Sequence, residues 1–439
     1  MRLLIGLHEK RRPLTGRTMG GGTSVGPEAR APAGQRARGK GRSRLKKAGK
    51  NVLALLMGCV VALAVLEGVL RIHNTFEFRV KGDKIVLPAN KRYVQKIKGS
   101  KKLESKLIHT KNSLGFRGEE PGADFDRRLT ILTVGGSTTE CFYLSDGLAW
   151  PDVLAKRLKT AFDGIWLNNA GLDGHSTFGH IVLTEDYIVK LRPKLVLFLL
   201  GINDVGREGF RPQMMSHIRA GICFDSLEGF IKSMSARSEV FSMGLNMYRC
   251  GRAKTKGLPY KEIDVREEIE QMAMPDEKTI RRRKEEHKEK YLKGYEERLR
   301  TLVEIQRANE IEPVFVTQPV LRGDVVDDAT GVNLAKTKAE WEVLELYNDV
   351  TRRVGREAGI LVIDLAKAMP KSSTYYMDWS HYTAEGAEVV GQLVFERLRP
   401  HLEERYGEYV ARRVDGERLA GVFSPESGPD GRRMKPYMD

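Results

Sequence analysis

Residues 129–140 read LTILTVGGSTTE, and this stretch decides the fold. Its first six residues are apolar or β-branched, which is typical of a strand buried on both faces of a parallel sheet. Gly135 and Gly136 then permit a tight turn, and an apolar helical pattern follows at about residues 148–158. The stretch therefore predicts a strand–turn–helix unit with Ser137 at the carboxyl end of the strand, where open α/β sheets bind ligands.

Ser137 has two interpretations from this position alone. It could cap the following helix. It could instead be a nucleophile, which requires a general base and an oxyanion hole from other parts of the chain. The remaining sequence supplies candidates for both.

Four further apolar runs continue an alternation of strands and helices. They lie at residues 165–169, 194–200, 313–318 and 360–364. Helical patterns separate them, and a last helix is expected at about residues 384–402. The pattern predicts an α/β fold with a central parallel sheet of about five strands.

Residues 205–278 interrupt this alternation without a clear period of their own. A strongly charged helix follows at about residues 276–309, and its charged run at 281–286 is expected to be a solvated face rather than a binding patch. Long inserts beside a site are often lids or substrate walls. We therefore expect the insert to border the site.

The net charge of +16 is concentrated at one end of the 439-residue chain. Residues 1–50 carry 14 Lys and Arg against Glu9 and Glu28, which leaves +4 for the rest. The charge therefore does not indicate a nucleic-acid partner. The Gly, Arg, Pro and Ala content of residues 1–50 predicts a disordered tail.

A membrane anchor is predicted directly after this tail. Residues 52–66 are uninterrupted apolar or small residues, and a helix over 52–72 would rise about 31 Å, close to the ~30 Å hydrocarbon core. Glu67 and Arg71 are spaced to pair at the interface. The basic cluster at 42–50 precedes the run, so the positive-inside rule predicts a cytoplasmic N-terminus and an external remainder.

Three other interpretations of the apolar run stay open. It could be a buried soluble helix, although its flanks are unusually basic. It could be a signal peptide cut at Ala62-Leu63-Ala64, although the apolar pattern continues past that point. A lipoprotein site at Cys59 is disfavoured because most of the run follows the cysteine. All but the soluble helix imply export.

The cysteines do not define a framework or a metal site. The four are Cys59, Cys141, Cys223 and Cys250, too few for a disulfide-built fold and without zinc spacing. Cys223 and Cys250 could pair in an oxidising compartment or remain free buried thiols. We expect no metal site and no cofactor.

Residues suited to acyl transfer follow the predicted strands. Ser137 follows the first, Gly174 the second and Asn203 the third. Asp378 and His381 stand three residues apart before the last helix. At this spacing one turn can present His381 to the serine while Asp378 supports the other ring nitrogen, as in a Ser-His-Asp triad.

Four motifs in this order resemble the sequence blocks of SGNH hydrolases, also called the GDSL esterase/lipase superfamily. They are GGSTT at 135–139, NAGLDG at 169–174, GIND at 201–204 and DWSH at 378–381. The similarity covers about residues 129–402. Each motif alone is weak, but all four in order, each at a predicted strand end or loop, make a strong signal.

The resemblance implies a three-layer, flavodoxin-like fold and places each candidate residue in a role. Ser137 falls on the nucleophile, His381 on the base and Asp378 on its partner. The oxyanion hole would consist of the backbone N–H groups of Ser137 and Gly174 and the side-chain amide of Asn203. No cofactor and no metal are implied.

One position departs from the family pattern. Gly136 stands where the family name has aspartate. Membrane-tethered relatives resemble this chain both in the GGSTT form and in the upstream stretch NSLGFRG at residues 112–118. We therefore do not interpret the glycine as a loss of activity.

Three functions follow in order of preference. The first is an extracytoplasmic esterase acting on an acyl, most simply acetyl, ester of a carbohydrate or a small molecule. The second is a polysaccharide O-acyltransferase with the same residues, although the sequence contains no multi-span acyl-donor channel. The third is a non-catalytic binding module of the cell envelope, which the complete set of motifs disfavours. The expected partners are an ester substrate, with an acylated glycan as one candidate, and the membrane.

The sequence divides into five expected regions. They are a basic cytoplasmic tail at 1–50, a transmembrane signal anchor at 51–72, a connecting region at 73–127, a hydrolase domain at 128–402 with its insert at about 205–278, and a C-terminal tail at 403–439.

Overall fold

The computed structural model describes residues 34–73, 80–81, 84–207, 222, 224, 227–255 and 262–411. The predicted disorder of residues 1–33 lies outside this part of the chain, as do the tail residues beyond 411. Cys223 also lies outside it, so the suggested pairing with Cys250 is not addressed.

The strands and helices are numbered in chain order. The strands are β1 (Val80–Lys81), β2 (Lys84–Ile85), β3 (Lys91–Lys96), β4 (Lys106–Lys111), β5 (Leu129–Val134), β6 (Ile165–Asn169), β7 (Leu195–Leu200), β8 (Glu312–Thr317) and β9 (Val362–Ile363). The helices are α1 (Gly34–Ile72), α2 (Ser137–Glu140), α3 (Trp150–Ala161), α4 (Thr177–Leu183), α5 (Val189–Leu191), α6 (Leu227–Ser235), α7 (Glu239–Thr255), α8 (Val265–Gln271), α9 (Glu277–His287), α10 (Lys293–Ala308), α11 (Lys338–Glu357), α12 (Leu365–Ala368) and α13 (Ala384–Arg405). Short π-helical segments, Thr184–Ile188 and Lys288–Leu292, join α4 to α5 and α9 to α10.

The central sheet has five strands in the order β6-β5-β7-β8-β9, and every neighbouring pair is parallel. Numbered within the sheet, this is the order 2-1-3-4-5 of flavodoxin-like folds. The predicted α/β fold with about five parallel strands is confirmed. The last strand is shorter than the predicted 360–364, because β9 is an edge strand that pairs only with β8.

The core lies on both faces of this sheet. Alternate residues of β5 and β7 point to opposite sides, with Ile131 and Leu197 in one apolar cluster and Leu132 and Val196 in the other. Helices α3 and α13 contribute to the first cluster, and α4, α10 and α11 to the second. Because both faces are covered, β5, β6 and β7 are buried along their full length. The three predicted layers are therefore present.

The chain divides into two units, one ending at Leu66 and the other beginning at Glu67. Within the described residues, Gly49–Ile72 of α1 is the one segment long and apolar enough to cross a membrane.

Residues 34–50 are helical where a disordered tail was expected. Their Lys, Arg, Ala and Gln residues favour helix, and the apolar segment that follows extends it. The expected pair forms at the far end, with Arg71 Nε 2.8 Å from Glu67 Oε1.

Backbone pairings occur on both sides of the expected hydrolase domain, before residue 128 and after residue 402. In the region expected only to connect, β3 and β4 form an antiparallel hairpin, and the backbone of Arg117 pairs with that of Asn169 on β6. At the other end, Val410 pairs with Phe162, although residues from 403 on were assigned to a tail. In both places a short strand-like pairing satisfies backbone groups that a sequence pattern does not reveal.

The described part of the insert contains helices α6, α7 and α8. The N–H of Ile263, just before α8, donates to the carbonyl of Met377 at 3.1 Å. This contact brings the insert to the loop that carries Asp378. In the charged run after the insert, Arg281 and Arg282 are exposed as expected, while Arg283 and Lys284 are partly covered by pairing with Glu340 and Glu342 on α11.

Candidate active site

The turn before Ser137 contains two glycines at positions where neighbouring side chains leave no room for a Cβ. A Cβ on Gly135 would overlap the hydroxyl of Thr139, and a Cβ on Gly136 would overlap Nδ2 of Asn203. With both side chains absent, β5 can end at Val134 and α2 can begin at Ser137. Ser137 does not cap a helix with its side chain, so the capping interpretation is not supported.

Ser137, His381 and Asp378 are brought together at the carboxyl edge of the sheet. Ser137 Oγ lies 2.7 Å from His381 Nε2, and His381 Nδ1 lies 2.7 Å from Asp378 Oδ2. The other carboxylate oxygen accepts the backbone N–H groups of Ser380 and His381 at 2.8 Å each. The arrangement gives the serine hydroxyl a neighbouring base whose ring is held by a carboxylate.

The ionisation of Asp378 follows from these contacts. Burial raises the pKa of its carboxyl, but the hydrogen bonds and charge of His381 and the backbone N–H groups lower it by more, so the pKa is below its ordinary value of 3.8. Asp378 is therefore an anion at neutral pH. An anion at this position favours the Nδ1–H tautomer of His381, in which Nε2 carries the lone pair that can accept the proton of the Ser137 hydroxyl.

The other two predicted residues lie in the loops that follow β6 and β7. Asn203 is in the turn Ile202–Asp204, and its Nδ2 donates to the carbonyl of His175 at 2.9 Å while lying against Gly136. Gly174 precedes His175 and has φ of 72°, a left-handed conformation that favours glycine. The amide of Asn203 is thus placed between the serine turn and the Gly174 loop.

Asp204, the last residue of the GIND motif, fixes this placement. Its buried carboxylate accepts the backbone N–H and the hydroxyl of Thr177, the first residue of α4, and pairs with Arg298 at 3.1 Å. Arg298 Nε also donates to the Thr177 hydroxyl. These contacts tie the ends of β6 and β7 together, so that Gly174 and Asn203 keep a fixed separation.

The stretch at residues 112–118 holds the far end of the serine helix. The side chain of Asn112 accepts the N–H groups of Leu114 and Phe116 and so shapes the turn. Arg117, 1% exposed, then donates to the carbonyls of Glu140 and Cys141 at 2.8 Å each. These are carbonyls that a helix C-terminus leaves without partners.

A buried ion pair links the same helix to the Gly174 loop. Lys111 Nζ lies 3.2 Å from Glu140 Oε1, and both side chains are almost fully buried. Glu140 Oε2 accepts the N–H of Asp173, next to Gly174, at 2.6 Å. The sequence motifs did not predict a role for Lys111, Arg117 or Glu140. The available signal was the presence of charged residues beside apolar strand and turn patterns, where burial without a partner would be costly.

Within the described ranges, no three His, Cys, Asp or Glu side chains converge as metal ligands would. His180 packs in the core, where burial and the neighbouring His175 lower its pKa to about 3. His180 is therefore neutral at physiological pH.

Comparison of the sequence with models of known protein families finds one match. Residues 133–389, more than half of the chain, match the family model described as GDSL-like Lipase/Acylhydrolase family. A search among curated proteins finds no match.

The solved structures to which this chain is similar are distant from it. A lipolytic protein of the G-D-S-L family from Desulfitobacterium hafniense DCB-2 is 13% identical over 61% of this chain and 99% of its own, with a TM-score of 0.33. The acetylxylan esterase Axe2 from Geobacillus stearothermophilus is 13% identical over 61% and 93%, with a TM-score of 0.35. At these values neither likeness bears on the substrate or on the site residues.

Proposed function

The chain belongs to the GDSL-like lipase/acylhydrolase family and is an ester-bond hydrolase, and on that premise we propose how and where it acts. It is a serine esterase that removes an acyl group, most simply acetyl, from a carbohydrate or small-molecule ester outside the cytoplasm. The observation that carries the proposal is the continuous hydrogen-bonded chain from Ser137 Oγ through His381 to Asp378.

The chemistry follows from this chain of hydrogen bonds. His381 Nε2 takes the hydroxyl proton as Ser137 Oγ attacks the ester carbonyl, and the resulting imidazolium is stabilised by Asp378. His381 then returns the proton to the leaving alcohol. Water attacks the acyl-serine in the second half-reaction with His381 again as the base, which releases the acid and the free serine.

The oxyanion formed in each half-reaction needs hydrogen-bond donors. We assign this role to the backbone N–H groups of Ser137 and Gly174 and to Nδ2 of Asn203. Nδ2 carries two hydrogens, and the contact with His175 engages one of them. The fixed loops around the serine supply donors without reorganisation during the reaction, which is the condition for strong electrostatic stabilisation.

The location follows from the N-terminal helix. A segment of 24 residues, Gly49–Ile72, is long enough to span the membrane, and the basic residues before it favour a cytoplasmic N-terminus. The catalytic unit then works in the periplasm or outside the cell. We further propose that this unit includes the β3–β4 hairpin and the residues up to 411, beyond the limits of 128–402 expected from sequence.

One assay separates the three candidate functions. Purified protein is incubated with 4-nitrophenyl acetate, with and without an oligosaccharide acceptor, and free acetate and acetylated oligosaccharide are measured. Free acetate that is unaffected by acceptor supports the esterase. Acetyl transfer to the oligosaccharide would contradict the esterase and support the acyltransferase. The absence of any acyl release would contradict both enzymes and support a non-catalytic binding module.

The topology has a separate test. Alkaline phosphatase fused after Asp439 is expected to be active, since this reporter folds only outside the cytoplasm. Activity of a cytoplasmic reporter at the same position would contradict the proposed orientation. Recovery of the intact chain in the soluble fraction would instead exclude the uncleaved anchor.

A further inference from the structure

Arg322 is held beside the catalytic loop by its backbone and by one ring. The N–H of Leu321 donates to the carbonyl of Trp379 at 2.9 Å, and the N–H of Gly323 donates to the hydroxyl of Thr337 at 3.1 Å. The guanidinium carbon of Arg322 lies 5.3 Å from the centre of the Trp379 ring. Trp379 directly follows Asp378, so the guanidinium is next to the proposed catalytic machinery.

The guanidinium has no acceptor in the part of the chain that the structure describes. No described side chain or carbonyl accepts a hydrogen bond from it, and no described carboxylate lies within ion-pair distance. The contact that the structure shows for the guanidinium is the one with the Trp379 ring. The nearest acidic groups are already engaged. Glu340 pairs with Arg283 at 2.6 Å, and Asp378 is taken by His381 and its own loop.

The Arg322 side chain is half-buried, and its N–H donors are not among the buried atoms closed off from solvent. Burial lowers its pKa, while Glu340 and Asp378 act in the opposite direction. A guanidinium has five N–H donors, and since no described protein group accepts from those of Arg322, a ligand can take them in exchange for water. A residue of this type beside a reactive centre is suited to take its acceptors from a ligand.

We propose that Arg322 is an anion subsite of the esterase, which binds a carboxylate or phosphate group carried by the substrate close to the ester. The assignment rests on the proposed function, because it names the class of ester that the same site takes. It predicts an acidic substrate, such as an acetylated uronic acid or an acetylated sugar phosphate, in preference to a neutral acetylated sugar.

The guanidinium explains why the ligand is an anion rather than a hydroxyl. Its planar fork matches two oxygens of a carboxylate or phosphate, and the charge-assisted pair is about twice as strong as a neutral hydrogen bond. The neighbouring Trp379 ring offers an apolar surface against which a sugar ring can pack. The alternative is that Arg322 only supports the position of Trp379.

The test compares an anionic and a neutral ester. The full-length protein in detergent is assayed with acetylated glucuronate and acetylated glucose, and Arg322→Gln is compared with the native chain. We expect KM for acetylated glucuronate to rise about tenfold to a hundredfold, with a smaller change in kcat, so that the preference for the acidic ester is lost. Arg322→Lys, which keeps the charge without the fork, should recover part of the preference.

Arg399→Gln is the matched control, because it removes the same charge from a residue already paired with Glu403 on α13. It should leave the preference intact. An unchanged preference in Arg322→Gln, or equal losses for the acidic and the neutral ester, would overturn the subsite and leave Arg322 as a support for Trp379.

Direct binding separates this inference from the esterase proposal. Glucuronate, inorganic phosphate and neutral methyl glucoside are titrated into Ser137→Ala while tryptophan fluorescence is followed. Binding of glucuronate that is lost in Ser137→Ala/Arg322→Gln supports a carboxylate ligand, and the same result with phosphate alone supports a phosphate ligand. Because Ser137→Ala needs no turnover, the subsite can stand if the hydrolysis assay fails. Equal responses to all three compounds, or none, would refute it.

Discussion

The residues proposed to react and the residues that support them differ in burial and in the groups that they contact. Ser137, His381 and Asp378 lie at the rim of the sheet and retain some exposure, and they contact each other through side chains. Arg117 and Glu140 lie beneath them, fully buried, and hold backbone groups of the serine helix and of the Gly174 loop. The rim can therefore lose a side chain at little cost to the fold, whereas the supports bear on stability and geometry together.

Ser137→Ala should show the largest loss of activity. We expect kcat to fall by about 10⁴-fold or more, since the residue proposed to form the covalent bond is gone. The melting temperature should change little, because the hydroxyl is at the rim. Hydrolysis of 4-nitrophenyl acetate and thermal unfolding check the two expectations, and native-like turnover would remove Ser137 from the mechanism.

Asn203→Ala comes next. As an oxyanion donor, Asn203 should contribute about 10²–10³ to kcat with a much smaller effect on KM. Asn203→Asp should be at least as damaging, because a carboxylate would face the developing oxyanion. If Asn203 only closed the turn after β7, its replacement would cost about 1 kcal/mol of stability and little activity. A kcat within a few-fold of native for both variants contradicts the assignment.

Gly136→Asp would test the departure from the family name. Any Cβ at position 136 overlaps Nδ2 of Asn203, so the aspartate form should move the proposed oxyanion donor. A displacement of about 1 Å can cost about 10² in rate. Gly136→Ala should do most of this damage alone. Gly244→Ala is the control, since its added Cβ meets no atom within 4 Å, and unchanged kcat in both variants at position 136 would show that the glycine is not required.

Glu140→Gln should affect stability more than activity, the opposite of the substitutions at the rim. Breaking one side of a buried ion pair typically costs about 3–5 kcal/mol, and the residue does not touch the substrate. We therefore expect a large fall in the free energy of unfolding and a smaller loss of kcat, through the Asp173–Gly174 loop. Lys111→Met/Glu140→Gln should be more stable than the sum of the single variants. Additive costs, measured by denaturant unfolding, would show that Lys111 and Glu140 do not act as a pair.

The same contrast explains what could be predicted from sequence. The strands are continuous apolar runs, and the candidate residues at the rim occur in short motifs at the strand ends. Local sequence patterns could therefore predict the strands and propose these residues. The supports depend on register and packing. Arg298 reaches Asp204 from a helix beyond the whole insert. Lys111 meets Glu140 because β4 lies beside the segment after α2, where the N–H of Asp146 donates to the carbonyl of Ile108. No local pattern encodes such contacts. The helical residues 34–50 were missed for a different reason, since composition suggested disorder while helix propensity favoured extension of the apolar segment.

The smallest expected effect concerns the pH response of Asp378. Its folded pKa lies below the ordinary 3.8, since the contacts from His381 and the backbone outweigh the effect of burial. A carboxyl with a lowered pKa stabilises the fold above its unfolded pKa, and this contribution is lost as the pH falls through the folded value. The difference in unfolding free energy between the native chain and Asp378→Asn should therefore be constant from pH 7 to about pH 5 and shrink below about pH 4. For the same reason, protonation of Asp378 should not limit activity above about pH 4.

Denaturant unfolding at several pH values measures the difference in unfolding free energy between the native chain and Asp378→Asn. A decline that begins near neutral pH would mean that Asp378 is not held as an anion by His381, and the proposed tautomer of the histidine would lose its basis.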